Sequence, residues 1–240
     1  MIAIENLCKS FGRQEVLRNI QLELSSNESY AMIGPNGCGK TTLIKSLLGM
    51  VIPTSGNIFF KEKSIANQFA YRKCIGYMPQ IGHYPDNMTI GHIVEMIKEI
   101  RHTDKPLDED LLHAFELQKL FHKRMRTLSG GTTQKVSATL AFLFNPEVLI
   151  LDEPTAGLDP MSAEILKEKI VLEKKRGKLI LITSHILSEL DDLITGIIYM
   201  QDGQILLKHT VEAIQEITNE HKVSKGIAQL LKLHRNAQNH

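Results

Sequence analysis

The sequence predicts an α/β fold built on a parallel sheet covered by helices, and three observations carry that expectation. Two segments, YAMIG and EVLILD, are apolar at nearly every position, the pattern of strands buried on both faces of a sheet. A glycine-rich loop, GPNGCGKTT at residues 34–42, leads from the first of them into KTTLIKSLLG, a segment of helical character. After residue 128 the order runs helix, strand EVLILD, helix SAEILKEKIVLEKK, strand KLILIT and helix ILSELDDL, which is the alternation of β–α–β units.

The remaining elements follow in order. Residues 2–24 read as two strands joined by FGRQE, so an antiparallel β subdomain precedes the loop. Strand signals return at NIFFK and CIGYMP. From about residue 89 to 128 the periodicity turns helical, in TIGHIVEMIKEIRH and DEDLLHAFELQKLF, which predicts an inserted helical lobe. The tail, about 211–240, reads as helix and is mildly basic. The whole chain, 1–240, is expected to be one domain, and no internal repeat or low-complexity stretch interrupts it.

Composition narrows the function. With 42% hydrophobic and 23% charged residues the chain is globular rather than disordered. Lys+Arg 28 against Asp+Glu 27 gives a formal net charge of +1, so no basic field exists to hold nucleic acid and no nucleic-acid partner is expected. Cys8, Cys38 and Cys74 lack metal-ligand spacing and suggest free thiols in a reducing compartment. No apolar run approaches the roughly 20 residues that span a bilayer, and the first residues do not resemble a signal peptide. A cytoplasmic chain is expected, with any membrane role exercised through a partner.

The loop at 34–42 fits G-x-x-x-x-G-K-[ST] between a strand and a helix, the context that gives this pattern its meaning. Gly34, Pro35, Asn36, Gly37, Cys38 and Gly39 would wrap phosphate oxygens with backbone N–H groups, and the helix adds its positive N-terminal end. Lys40 supplies a full charge to the β- and γ-phosphates, Thr41 a hydroxyl to Mg²⁺, and Thr42 a contact to the α-phosphate. Strand VLILD ends in Asp152, placed to hold Mg²⁺ through water, and Glu153 follows to polarise the attacking water. An acid pair after a strand is by itself often a solvated strand end; beside a phosphate loop it reads as catalytic. In LSGGT at 128–132, Ser129 caps a helix that starts with Gly130 and Gly131, a bare turn that a second phosphate could approach. An ordinary capped helix would give the same four letters.

GPNGCGKTT, LSGGT, LILDEPTAGLDP and TSH, in this order, resemble the ATPase domains of ABC transporters, and the resemblance covers nearly the whole chain. It implies a phosphate-loop NTPase core of the ABC ATPase type, with ATP and Mg²⁺ as cofactors. It implies that Phe11 stacks on adenine and that Gln80 senses Mg²⁺ and couples to a membrane partner. Asp159 would link two ATP sites, and His185 would contact the γ-phosphate and hold Glu153 and water in place. The implied partners are an integral membrane transporter subunit and a second copy of the chain, closing head to tail around two ATP molecules. The implied location is the inner face of the cell membrane. Two positions depart from the common pattern: Thr132 stands where glutamine often follows LSGG, and Cys38 occupies a small-residue position of the phosphate loop.

A closer resemblance lies in YRKCIGYMPQIGHYPDNMTIGHIVEMIKEIR and the stretch from TLSGG to GLDP, which are similar to the ATPase of the transporter that supports copper-site maturation of nitrous oxide reductase. That likeness implies a periplasmic accessory protein reached through the membrane subunit. Multidrug-type exporter ATPases share much of the pattern, and a soluble ABC ATPase of cofactor assembly is a further alternative. His83, His92, His102, His113 and His122 are not spaced i,i+3 or i,i+4, so they read as surface or structural residues rather than a copper site.

Overall fold

The computed structural model describes the backbone of residues 1–238 and side chains through residue 233, so the last two residues of the expected tail lie outside the described residues. The chain divides into two compact units. One comprises Met1–Phe69 and the chain from Leu181 onward; the other is Ala70–Ile180.

In the first unit, β1 (Ile2–Phe11) and β2 (Gln14–Leu24) pair antiparallel from Ile2↔Leu24 to Phe11↔Gln14. Their connection is shorter than expected, only Gly12 and Arg13, because Phe11 and Gln14 already belong to the ladder. β4 (Ser55–Phe60) pairs with the other edge of β1, and β5 (Lys63–Ser64) follows it. Alternation buries Ile2, Ile4, Leu7, Leu17, Ile20, Leu22 and Leu24, each such aliphatic side chain contributing about 1.5–3 kcal/mol. β3 (Ser29–Ile33) is buried at every position and runs parallel to β9 (Gly196–Gln201). α1 (Lys40–Leu47) buries Leu43, Ile44 and Leu47.

Two features of this unit depart from the sequence reading. The hairpin of β9 and β10 (Gln204–Thr210) is additional, turning at Asp202-Gly203, an Asp-Gly signal between apolar runs. The helix expected over ILSELDDL is a single 3₁₀ turn, Leu187–Glu189. Asp191 is held by the Ser224 amide at 3.1 Å, Leu190 and Leu193 are buried, and Asp192 takes φ 66°. Tertiary anchors thus override local helix propensity. The tail is helical as expected, in α6 (Val211–Thr218) and α7 (Val223–Gln238), which bury Ile214, Val223, Ile227 and Leu230.

In the second unit, β6 (Ile75–Met78) and β7 (Val148–Asp152) pair parallel. α4 (Gly130–Phe142) lies so close to β6 that a Cβ on Gly76 would come within 2.0 Å of the Ala141 carbonyl oxygen. α2 (Ile90–Arg101) begins where the helical lobe was expected, capped by Thr89, whose hydroxyl accepts from the His92 amide at 3.2 Å. The helix expected over DEDLLHAFELQKLF is instead α3 (Asp110–Ala114) and a 3₁₀ turn, Leu117–Leu120, separated by Glu116 at φ 52°. The break lets Leu111, Leu112, Phe115 and Leu117 all be buried, which one straight helix face would not allow.

α5 (Pro160–Lys175) carries a buried charge network. The Lys169 ammonium meets Asp108 at 2.6 Å, Asp110 at 2.7 Å and Glu173 at 3.1 Å. Arg176 meets Glu173 at 2.7 Å, and Lys178 also contacts Glu173. Burial would lower the Lys169 pKa, but the surrounding carboxylates outweigh it and the net shift is upward. Burial likewise opposes ionisation of Glu173, and Lys178 and Lys169 outweigh it, leaving its carboxyl below the ordinary range.

Candidate nucleotide site

The sequence-predicted residues divide between the two units. The first holds Phe11, the loop Gly34–Gly39 with Lys40, Thr41 and Thr42, and His185; the second holds Gln80, Ser129–Gly131, Asp152, Glu153 and Asp159.

The loop at 34–39 is shaped by close approaches that only glycine allows. Gly34 has φ 153°, and a Cβ there would sit 2.1 Å from the Met200 carbonyl oxygen. Gly39 caps α1 at φ 109°, where a Cβ would meet Leu17 and the Val16 carbonyl oxygen, both at 2.9 Å. The Gly203 amide donates to the Cys38 carbonyl at 3.1 Å, and the Arg18 amide to the Gly203 carbonyl at 2.8 Å. The β9–β10 turn therefore braces the loop against β2. The loop's contact with Met200 and Gly203 was not legible in the sequence.

The Lys40 ammonium is turned into the loop, donating to the Gly34 carbonyl at 2.8 Å and the Pro35 carbonyl at 3.0 Å. Cys38 is buried, its sulfur 3.8 Å from the Lys40 nitrogen. Thr41 is exposed and Thr42 half-buried in the first turn of α1, where free N–H groups and the helix dipole favour an anion. Beside the loop runs an open groove of about 460 Å³ lined by Arg13, Gln14, Val16, Arg18, Gly37 and Asp202. Phe11 is half-exposed at the end of β1, and His185 is exposed two residues beyond β8 (Leu179–Thr183).

In the second unit, four all-buried residues of β7 lead to buried Asp152. Burial and the Asp152 charge push the Tyr77 phenol up to about 12. Glu153 follows at φ 50° and precedes Pro154, a backbone conformation that costs on the order of 1–3 kcal/mol in a non-glycine residue. Its carboxylate accepts from the Gln80 amide nitrogen at 2.9 Å. That bond leaves the Gln80 carbonyl oxygen as an acceptor.

Ser129 caps α4, accepting from the Thr132 amide at 3.2 Å, and its hydroxyl lies 2.9 Å from the Thr132 hydroxyl. A Cβ on Gly131 would come within 2.8 Å of the Gly157 carbonyl oxygen, whereas one on Gly130 would meet nothing within 4 Å. Asp159 caps α5, accepting from the Ser162 amide at 2.9 Å and pairing with Lys135 of α4 at 2.8 Å. Lys135 and Ser162 together hold its carboxyl well below the ordinary carboxylate range. The Lys135–Asp159 and Gly131–Gly157 contacts tie the α4 start to the AGLDP turn. Sequence reasoning missed both Lys135 and Gly157, although both lie within the quoted segments.

A family model described as ABC transporter matches residues 17–156, which include the phosphate loop, the LSGG turn and the acid pair. The chain belongs to the ABC transporter family. The lantibiotic transport ATP-binding protein SrtF of Streptococcus pyogenes is 33% identical over 217 residues, covering 90% of this chain and 94% of SrtF. A solved ATP-binding subunit of an ABC transporter is 26% identical, with a TM-score of 0.87 over 96% of this chain and 99% of its own. A dimeric post-hydrolysis state of the cassette MJ0796, bound to ADP and Pi, is 23% identical over 88% of this chain and 98% of its own; its TM-score of 0.77 shows the shared fold. The ABC chain described here is thus the ATP-binding subunit of a transporter, with ATP hydrolysis coupled to transport. Among the described residues no helix is long and apolar enough to cross a membrane.

Proposed function

We propose that the chain, acting as one domain, binds MgATP at the loop 34–42 and hydrolyses it with Glu153 as general base. The observation that carries this reading is the 2.9 Å bond from Gln80 to Glu153. It fixes the carboxylate of a strained residue at the end of a fully buried strand, where a base must be held to orient water. Lys40, seated on two loop carbonyls, is placed to exchange them for phosphate oxygens. Asn36 to Thr42 offer backbone N–H groups, the exposed face of Phe11 takes adenine, and His185 reaches the γ-phosphate. Thr41, Asp152 and the Gln80 carbonyl are hard oxygen donors, the set that suits Mg²⁺, whose charge would offset that building on the phosphates.

A second copy supplies the other half of each site. Gly130 has neither a positive φ nor a neighbour that excludes a side chain, so nothing among the described residues of its own chain requires glycine there. Bareness at the Ser129 helix end serves instead an approaching phosphate of the partner copy, with Asp159 linking the two sites. The pair works on the inner face of the membrane beneath an integral subunit that senses the Gln80 loop. The resemblance noted in the sequence supports a transporter for nitrous-oxide-reductase copper-site maturation, with a periplasmic accessory protein. The likeness to SrtF supports a second reading, a transporter of another cargo, such as a lantibiotic. Purification of the tagged chain from detergent-solubilised membranes tests the assignment. A copurifying membrane subunit with ATP-dependent release supports it; recovery with a soluble scaffold instead would overturn it.

A further inference from the structure

β1 ends in Phe11, whose ring is 50% exposed and is followed by Gly12 at φ 58°. A half-exposed ring at a hairpin tip gains little orientation from packing, and ordering it on ligand stacking costs rotamer entropy. Lys9 lies two residues earlier, on the same face of the strand. Its ammonium sits 4.8 Å from the centroid of the Phe11 ring, within cation–π range. That ammonium is itself held, donating to the Ile52 carbonyl at 2.8 Å. The loop carrying Ile52 is stitched to β1 by the Thr54 amide to the Cys8 carbonyl at 2.8 Å and the Ser10 amide to the Thr54 hydroxyl at 3.0 Å. No carboxylate pairs with Lys9 among the described residues.

From this geometry we infer that Lys9 is a positioning residue for the nucleobase: it braces one face of the Phe11 ring and leaves the other for a purine. The inference rests on the reading of Phe11 as the adenine platform. Lys9 spends two of its donor directions on the ring and the Ile52 carbonyl, so it acts on the base end of the nucleotide and not on its phosphates. The tethered cation also draws electron density from the ring, which favours stacking of an electron-rich base.

The test compares ATP with inorganic tripolyphosphate, which lacks base and sugar, by calorimetry on the full chain. Lys9→Met keeps the stem and removes the charge. It is expected to weaken ATP binding about two- to fivefold and leave tripolyphosphate unchanged. Lys9→Arg, which keeps a cation over the ring, is expected to restore ATP binding. In a Phe11→Ala background the Lys9→Met effect is expected to vanish. Equal weakening of ATP and tripolyphosphate would make Lys9 a phosphate contact and overturn the inference. So would an effect that persists without the ring, or unchanged ATP binding in Lys9→Met when Phe11→Ala weakens it. If Phe11→Ala itself leaves ATP binding unchanged, the adenine platform fails first and the inference with it. Thermal unfolding of each variant checks folding, and Lys9→Gln replaces Lys9→Met should the latter unfold.

Discussion

The Gln80 side-chain amide donates to the Glu153 carboxylate across 2.9 Å, joining the segment after β6 to the end of β7. Glu153→Gln keeps the shape and an acceptor oxygen for Gln80 but removes the proposed general base. Steady-state turnover is expected to fall by about 10²–10⁴ with ATP affinity nearly unchanged. Gln80→Ala frees the carboxylate without neutralising it, so its loss is expected to be smaller. Adding it to Glu153→Gln is expected to cost little more through the carboxylate, and any further loss reports the separate Mg²⁺ contact proposed for the Gln80 carbonyl. Single-turnover hydrolysis beside equilibrium nucleotide binding measures all three; full turnover in Glu153→Gln would remove Glu153 from the mechanism.

Lys40→Ala is expected to fail earlier, at binding. It deletes the charge proposed to oppose the triphosphate and leaves the Gly34 and Pro35 carbonyls without their donor. ATP affinity should drop at least about tenfold, a charged hydrogen bond being worth about 1.5–3 kcal/mol. Lys40→Arg should not rescue it, since a planar fork does not fit a seat made for a compact ammonium. Fluorescent-nucleotide titration separates this from the Glu153→Gln behaviour, and wild-type affinity in Lys40→Ala would contradict the phosphate-loop reading.

Which parts of this arrangement were legible in the sequence follows from the range of the forces involved. The loop at 34–42, the apolar strand ending in Asp152 and the Ser129 cap are local patterns, written in consecutive residues. Gln80 was singled out only through resemblance, and its bond to Glu153 was not expected at all, because 73 residues separate the two. The brace of Gly34 against Met200, the break at Glu116 and the loss of the helix over ILSELDDL depend on distant partners, and a periodicity read along the chain does not contain them. The same holds for Asp108, Lys169 and Glu173, which look like surface charges in sequence and are buried against each other in the fold.

That buried network gives a pH prediction with a definite sign. Glu173 is depressed, so its contribution is present above the unfolded carboxylate pKa and lost as pH falls through the folded one. Lys169 is raised, so its contribution is present below the unfolded lysine pKa and lost as pH rises through the folded one. Both are in force at neutral pH. Lys169→Met takes from the buried Asp108 carboxylate its 2.6 Å partner, while Glu173 keeps Arg176 and Lys178, and is expected to destabilise by about 3 kcal/mol at pH 7, the low end for a broken buried pair. The deficit should shrink toward pH 4, where protonation removes the stranded charge. Urea unfolding at the two pH values checks this, and a deficit that is equal or larger at pH 4 would contradict it.

The last prediction concerns closure of two copies. Ser129 is exposed at the start of α4, and Gly130 has open space where a side chain would go. If these residues face a phosphate held by the partner copy, substitutions there should spare the monomer and spoil the dimer. In a Glu153→Gln protein, ATP is expected to drive dimerisation and ADP is not, because the γ-phosphate is the proposed bridge. Adding Ser129→Arg places a bulky side chain where that phosphate must sit, and adding Gly130→Ala narrows the approach by one methyl. Both should abolish or weaken the ATP-dependent dimer, Ser129→Arg the more strongly. Nucleotide affinity of the monomer should remain, since Lys40 and its loop are untouched. Gly130→Ala should leave the melting temperature unchanged or raise it slightly, as alanine favours the helical backbone. Light scattering with ATP and with ADP, alongside thermal unfolding, separates the two effects. A Glu153→Gln, Ser129→Arg protein that still dimerises with ATP would place the Ser129 helix end away from the nucleotide interface.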